Sequence, residues 1–143
     1  MIVINRSVLL PYSALQLFEL VRDVESYPAY MEGCVGARIL FAGEHLVEAR
    51  LDLARAGIAQ SFSTRNRMLV PSEITLELID GPFEYFTGRW DFRPLGDSAC
   101  KMSLKLEFIM RSTLLGAAAS RLFDKVTSNM VDAISRRASQ LYG

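Results

Sequence analysis

Cys100-Lys101-Met102-Ser103-Leu104-Lys105-Leu106-Glu107-Phe108 alternates apolar and polar residues without a slip. Met102, Leu104, Leu106 and Phe108 fall on one side of an extended chain, and Lys101, Ser103, Lys105 and Glu107 on the other. A period of two marks a strand with one dry face and one wet face. Working back towards the N-terminus, the same period recurs. Glu84 to Arg93 sets Phe86, Trp90 and Phe92 against Tyr85, Arg89, Asp91 and Arg93, and Ile74, Leu76 and Leu78 alternate with Thr75 and Glu77. Ile58 to Leu69 opposes Phe62 and Met68 to Arg65 and Arg67, which puts Thr64 and Asn66 on the inner face as well. His45 to Ala54 opposes Val47, Ala49, Leu51 and Leu53 to Glu48, Arg50 and Asp52. Cys34 to Phe41 and Ile2 to Leu10 complete the set. Turn residues separate the runs at Gly43-Glu44, Gly57, Pro71-Ser72, Gly81-Pro82 and Leu95-Gly96-Asp97-Ser98. Short turns between period-two strands indicate an antiparallel sheet.

The rest of the chain is helical. Ser13 is placed to cap a helix reaching about Val21, with Leu17, Leu20 and Val21 at helical spacing. Asp23 is placed to cap a second short helix through Glu25, its length limited by Pro28, and Tyr27 and Tyr30 sit in that region. From Leu114 to Leu141 the period becomes helical: Leu115, Leu122, Val126, Met130, Ile134, Ala138 and Leu141 form one stripe, with Asp132 and Arg136 paired at i,i+4 on another face. These elements predict an α+β domain spanning residues 1–143. Seven antiparallel strands curve around one long C-terminal helix, and two short helices follow the first strand.

One helix about 10 Å wide cannot cover seven strands spaced about 4.8 Å apart. The sheet must therefore curl around it, and such a wrap predicts a hydrophobic tunnel suited to an apolar small molecule. Its expected lining is Tyr27, Tyr30, Phe62, Thr64, Asn66 and Met68, then Leu76, Leu78, Phe86, Trp90 and Phe92, then Met102, Leu104, Leu106, Val126 and Met130. For any one of Phe86, Trp90 and Phe92 ordinary core is the plainer reading, and the pocket is a claim about the set, because the curled sheet should leave room. Phe86, Trp90 and Phe92 are placed to stack on a flat ring, and Met68, Met102 and Met130 suit a flexible guest. Tyr27 and Tyr30 offer hydroxyls at a pocket mouth. An inward Asn66 needs a partner, from a ligand headgroup or from a loop backbone.

Sixteen Lys and Arg balance sixteen Asp and Glu, so no overall positive field draws in DNA, though a local patch is compatible with that balance. Arg65, Arg67, Arg89, Arg93, Lys101 and Lys105 share the wet face, where cross-strand pairing with Asp52, Asp91 and Glu107 is the plainer expectation than a basic strip for RNA. A single histidine, His45, gives no nucleophile–base–orienter set, and Cys34 and Cys100 have no metal-ligand spacing and read as buried free thiols. Neither a leader nor a membrane-spanning run is apparent. The expectation is a cytoplasmic protein, with peripheral contact to the inner membrane compatible with its composition, and no required cofactor or metal.

Several segments stand in a telling order: Arg6-Ser7, Pro11-Tyr12-Ser13, Leu20-Val21-Arg22-Asp23-Val24-Glu25-Ser26-Tyr27-Pro28, Phe62-Ser63-Thr64-Arg65-Asn66, Asp80-Gly81-Pro82-Phe83, Gly88-Arg89-Trp90-Asp91-Phe92-Arg93-Pro94-Leu95, Arg137-Ala138 and Leu141-Tyr142-Gly143. Together they resemble the coenzyme Q-binding protein and ribosome-association toxin family, within the START-like polyketide cyclase/dehydrase superfamily, across essentially the whole chain. The resemblance implies a helix-grip fold. It also implies either ubiquinone binding in support of respiration or a toxin that blocks association of the ribosomal subunits. Non-enzymatic binding of ubiquinone or a related isoprenoid lipid is the first expectation, ribosomal-subunit binding the second, and a cyclase/dehydrase-type enzyme the third. One departure is plain: the family's Leu-Pro-Trp-Cys run reads Met31-Glu32-Gly33-Cys34 here, so Glu32 and Gly33 replace Pro and Trp.

Overall fold

The computed structural model describes residues 1–111 and 116–143. The chain runs β1 (Ile2–Leu10), α1 (Ala14–Arg22), a 3-10 helix (Val24–Ala29), β2 (Cys34–Ala42), β3 (Leu46–Arg55), β4 (Ile58–Leu69), β5 (Glu73–Asp80), β6 (Phe83–Pro94), β7 (Cys100–Met110), α2 (Gly116–Ser128) and α3 (Met130–Tyr142). The seven strands form one sheet in the order β1-β7-β6-β5-β4-β3-β2, so the first strand pairs with the last. Every neighbouring pair is antiparallel. The register places inner residues opposite inner residues, with Ile4 facing Leu106, Trp90 facing Leu104 and Phe92 facing Met102.

Local chemistry explains the element ends. Ser13 and Gln16 make a reciprocal capping box on α1, each side chain bonding the other's backbone N–H, at 3.1 and 2.9 Å. The amphipathic face of α1 buries Leu17, Phe18, Leu20 and Val21. The β3–β4 hairpin turns on Ala56 and Gly57, both at positive φ (52° and 81°). A two-residue hairpin matched to strand twist requires that conformation at both positions, and glycine supplies it without strain.

The long C-terminal helix expected from the stripe is two helices. Hydroxyl chemistry breaks it at Thr127-Ser128-Asn129. The Thr127 hydroxyl donates back to the Phe123 carbonyl, and the Ser128 hydroxyl to the Asp124 carboxylate at 3.2 Å. The Asn129 N–H then bonds the Val126 carbonyl at 3.2 Å, three residues back instead of four. Side chains that bond to nearby helical groups compete with the regular ladder. Asn129 keeps a near-helical backbone (φ −94°, ψ −4°), so the apolar stripe still runs on across the break: Leu122, Val126, Ile134 and Ala138 are all buried. Leu141, expected at its end, is half-exposed. Leu114 and Leu115, at its start, lie outside the described residues. Asp132 and Arg136 make no ion pair among the described residues.

β6 carries a bulge between Phe83 and Tyr85. The extra residue turns Phe83 to the same side as Phe86, which strict alternation does not provide. Phe83 then closes one end of the core, with ring centroids 4.7 Å from Phe123, 5.1 Å from Phe86 and 5.6 Å from Phe108. Phe62 joins the cluster at 5.2 Å from Phe123.

The Met31-Glu32-Gly33-Cys34 departure has a structural counterpart. Gly33 lies at φ +88°, and a Cβ there would sit 2.6 Å from Val126 Cγ2. Val126 packs directly on bare backbone, so a bulky side chain at this position is incompatible with the present placement of α2. Met31 and Cys34 are buried on either side.

Candidate functional site: an apolar cavity under the sheet

The wrap leaves one apolar void of about 50 Å³ between the inner sheet face, the α1 end and the α2–α3 junction. Eleven of the expected residues line it: Tyr27, Phe62, Thr64, Asn66, Met68, Leu76, Phe86, Trp90, Leu104, Leu106 and Met130. Val47, Ala49 and Leu51 of β3, Ile74 of β5, Val21, Arg22 and Val24 at the α1 end, and Thr127 complete the wall. Alternation places the β3 residues and Ile74 on the inner face. Arg22, Val24 and Thr127 reach the void only because two helix ends converge on it, which no local pattern records.

Five expected residues stand elsewhere. Phe92 and Met102 face one another in the sheet and are sealed off under Phe18, whose ring meets Phe92 edge-on at 5.4 Å. Val126 is turned to Gly33. Leu78 lies past the last β5–β6 ladder pair, Glu77 with Thr87, where the two strands separate. Tyr30 sits beside the wall, edge-on to Tyr27 at 6.2 Å, with the Arg137 guanidinium 5.1 Å over its ring.

The expected tunnel is therefore a small cavity. Fifty cubic ångströms hold a water or two, whereas a benzene-sized guest needs about 150 Å³ and ordinary ligand sites about 300–1,000 Å³. Trp90 stacks on Phe92 at 6.3 Å, and Phe62 and Phe86 fill the curve of the sheet. The curl that sequence geometry demands is present, and large side chains take up most of the space it creates.

The wall's hydroxyls are spent on protein neighbours. Tyr27 donates to the Val21 carbonyl, Thr64 to Asn66 Oδ1 at 2.7 Å, and Thr127 to Phe123. Burial, reinforced by Tyr30, raises the Tyr27 phenol well above its usual range, so it stays protonated and donating. Burial likewise pushes the Cys34 thiol up to about 11 and raises Cys100. Both cysteines are free and buried. Asn66 accepts from Thr64, and among the described residues its amide nitrogen donates to nothing. On the same wall, the Arg22 guanidinium at the α1 end is held, among the described residues, only through Nε, 3.4 Å from Glu19.

A curled antiparallel sheet gripping C-terminal helices over an apolar interior defines the helix-grip fold. The Zhui aromatase/cyclase from a Streptomyces species shares this fold, with a TM-score of 0.83 at 17% identity over 97% of this chain and 94% of that one. The chain belongs to the polyketide cyclase / dehydrase and lipid transport family, whose model matches residues 10–135. It is 42% identical to the ribosome association toxin RatA of Vibrio cholerae over 140 residues, 98% of this chain and 97% of that protein. The similarity to coenzyme Q-binding protein COQ10 homolog B of Xenopus laevis is lower, 24% identity over 97% of this chain and 59% of that protein. Among the described residues no helix is long and apolar enough to cross a membrane.

Proposed function

We propose that this protein acts on ribosome association, binding a ribosomal subunit and opposing its union with the other. The observation that carries this reading is the 42% identity to a ribosome association toxin along nearly the full length of both chains. The size of the cavity also favours a surface-based activity, since about 50 Å³ does not admit a quinone ring and its tail without rearrangement. The test is sedimentation of lysates after controlled expression. Free subunits rise at the expense of joined ribosomes, and the protein co-migrates with one subunit. An unchanged profile with the protein at the top of the gradient overturns the reading.

A second reading rests on Asn66. An amide nitrogen with unused capacity on a mostly apolar wall suits the carbonyl oxygen of a lipid or quinone. In this reading the site binds and does not catalyse, because the neighbouring hydroxyls already have acceptors. Entry of such a guest requires Met68 and Met130, both unbranched and adaptable, to move aside. Extraction of the purified protein followed by mass spectrometry, and titration with ubiquinone, test it. Absence of both bound lipid and saturable binding removes it, along with any respiratory role or membrane contact made through such cargo.

A further inference from the structure

A second concavity lies beside α2, apart from the cavity under the sheet. It has a volume of about 780 Å³ and is bounded by α2, the β3–β4 hairpin turn and β1. Four cations stand around it: Arg6 from β1, Arg55 from the hairpin, and Arg121 and Lys125 from α2. The one carboxylate present, Asp124, accepts from the Ser128 hydroxyl at 3.2 Å. Among the described residues Arg6, Arg121 and Lys125 form no ion pair. Arg55 reaches Glu32 at 3.4 Å, but that glutamate side chain is 81% exposed, and a pair of this kind is weak and readily exchanged.

The wet face of the sheet is different. There Arg65 meets Glu48 at 2.9 Å, Arg89 meets Glu73 at 3.0 Å, and Lys105 meets Glu107 at 3.4 Å. Zero net charge thus conceals a division: Arg50, Arg65, Arg67, Arg89 and Lys105 on the sheet each have a carboxylate partner, while the α2 cleft, with three of its four cations unpaired among the described residues, holds an excess. Arg121 and Lys125 sit at i,i+4 on one helix face, where like charges repel. Convergence of three separate elements on one such excess matches a polyanion with regularly spaced charges better than a single small anion.

We infer that this cleft grips the phosphodiester backbone of RNA and, resting on the function proposed above, the backbone of ribosomal RNA in one subunit. Phosphate contacts of this kind provide salt-dependent affinity without reading sequence. The cleft is separate from the apolar cavity, so RNA contact does not require the interior to open.

The test uses the full chain and two double variants that each remove two positive charges. Arg121→Gln with Lys125→Gln changes the cleft and keeps good helix formers; Arg93→Gln with Lys101→Gln changes the sheet. Binding is titrated against salt with phenol-extracted ribosomal RNA and with intact separated subunits, and Arg6→Gln serves as an independent third variant. The cleft variant is expected to lose on the order of tenfold in affinity for bare RNA at moderate salt. Its salt slope should fall by about one per cation removed, while the sheet variant matches the native protein. Equal RNA affinity and slope for native and cleft variant overturn the cleft; native binding to subunits in that case leaves the ribosomal reading intact. Binding to subunits but not to bare RNA, lost in the cleft variant, makes the occupant an acidic protein surface and also overturns the inference. Cleft-dependent RNA binding with no effect on subunit association upholds the cleft and removes the ribosomal reading. Matching melting curves establish that each variant is folded.

Discussion

The two ends of the interior share one pattern and differ in outcome. At one end Phe62, Phe83, Phe86, Phe108 and Phe123 interlock, with neighbouring centroids between 4.7 and 6.3 Å. At the other, Val47, Ala49, Leu51, Asn66 and Met130 surround empty space. Both ends draw on strand residues that alternation assigns to the inner face, Phe62, Phe86 and Phe108 at one and Val47, Ala49, Leu51 and Asn66 at the other. The difference lies in how the pieces meet. A bulge adds Phe83 to the filled end, while small Ala49 and the broken α2–α3 junction leave the other end short of atoms. Alternation determines which way a side chain points; density depends on register, bulges and helix breaks.

This contrast is open to direct attack. Phe123→Ala removes the ring shared by Phe62, Phe83 and Phe108, and should cost about 3–5 kcal/mol in urea unfolding. A loss below about 1 kcal/mol would mean the aromatic end is as loosely filled as the cavity. Next in size, Gly33→Ala places a Cβ against Val126 in a left-handed backbone, with an expected loss of about 1–3 kcal/mol. Pairing it with Val126→Ala should recover the steric part in a double-mutant cycle, and full additivity would show that Val126 is not the obstacle.

Alkaline stability is the third measure. Cys34 is raised from 9.0 to about 11 in the folded protein, so the unfolded chain loses its thiol proton first. The Cys34 contribution to stability is therefore constant below pH 9 and is lost as pH climbs through the window from 9 to about 11. The raised Tyr27 and Tyr30 phenols extend the decline upwards. Cys34→Ala should delay the onset, as read from melting temperatures across that range. Smallest of all, Ala49→Val adds two methyl groups beside the void. It should change stability by less than about 1 kcal/mol, whereas overpacking a filled core costs about 1–3. The same change should abolish binding of any small apolar guest, measured by calorimetry.

The charge distribution repeats the lesson on the surface. Alternation places Arg65, Arg67, Arg89 and Lys105 on the wet face, and each finds a carboxylate there. Across strands the partners are Glu48, Glu73 and Glu77; the expected Asp91 and Glu107 do pair, with Arg89 and Lys105, but along their own strands, and Asp52 pairs with Arg50 on its own strand at 3.0 Å. The cleft cations come from residues 6, 55, 121 and 125, which are remote in sequence and share no motif. Nothing local links them.

Residue order alone determined the strands, their dry face, the capping of α1 and the curl of sheet over helix, because these follow from short-range periodicity and from the widths of a helix and a strand. It also carried the family, since motif order survives without coordinates. Only the tertiary structure decided that the curl is nearly full, that Phe92, Met102 and Val126 stand away from the void, that Gly33 must stay bare, and that four distant cations share one cleft. Those outcomes depend on how surfaces far apart in the chain are brought into contact, and packing at sub-ångström tolerance is not written in any one segment.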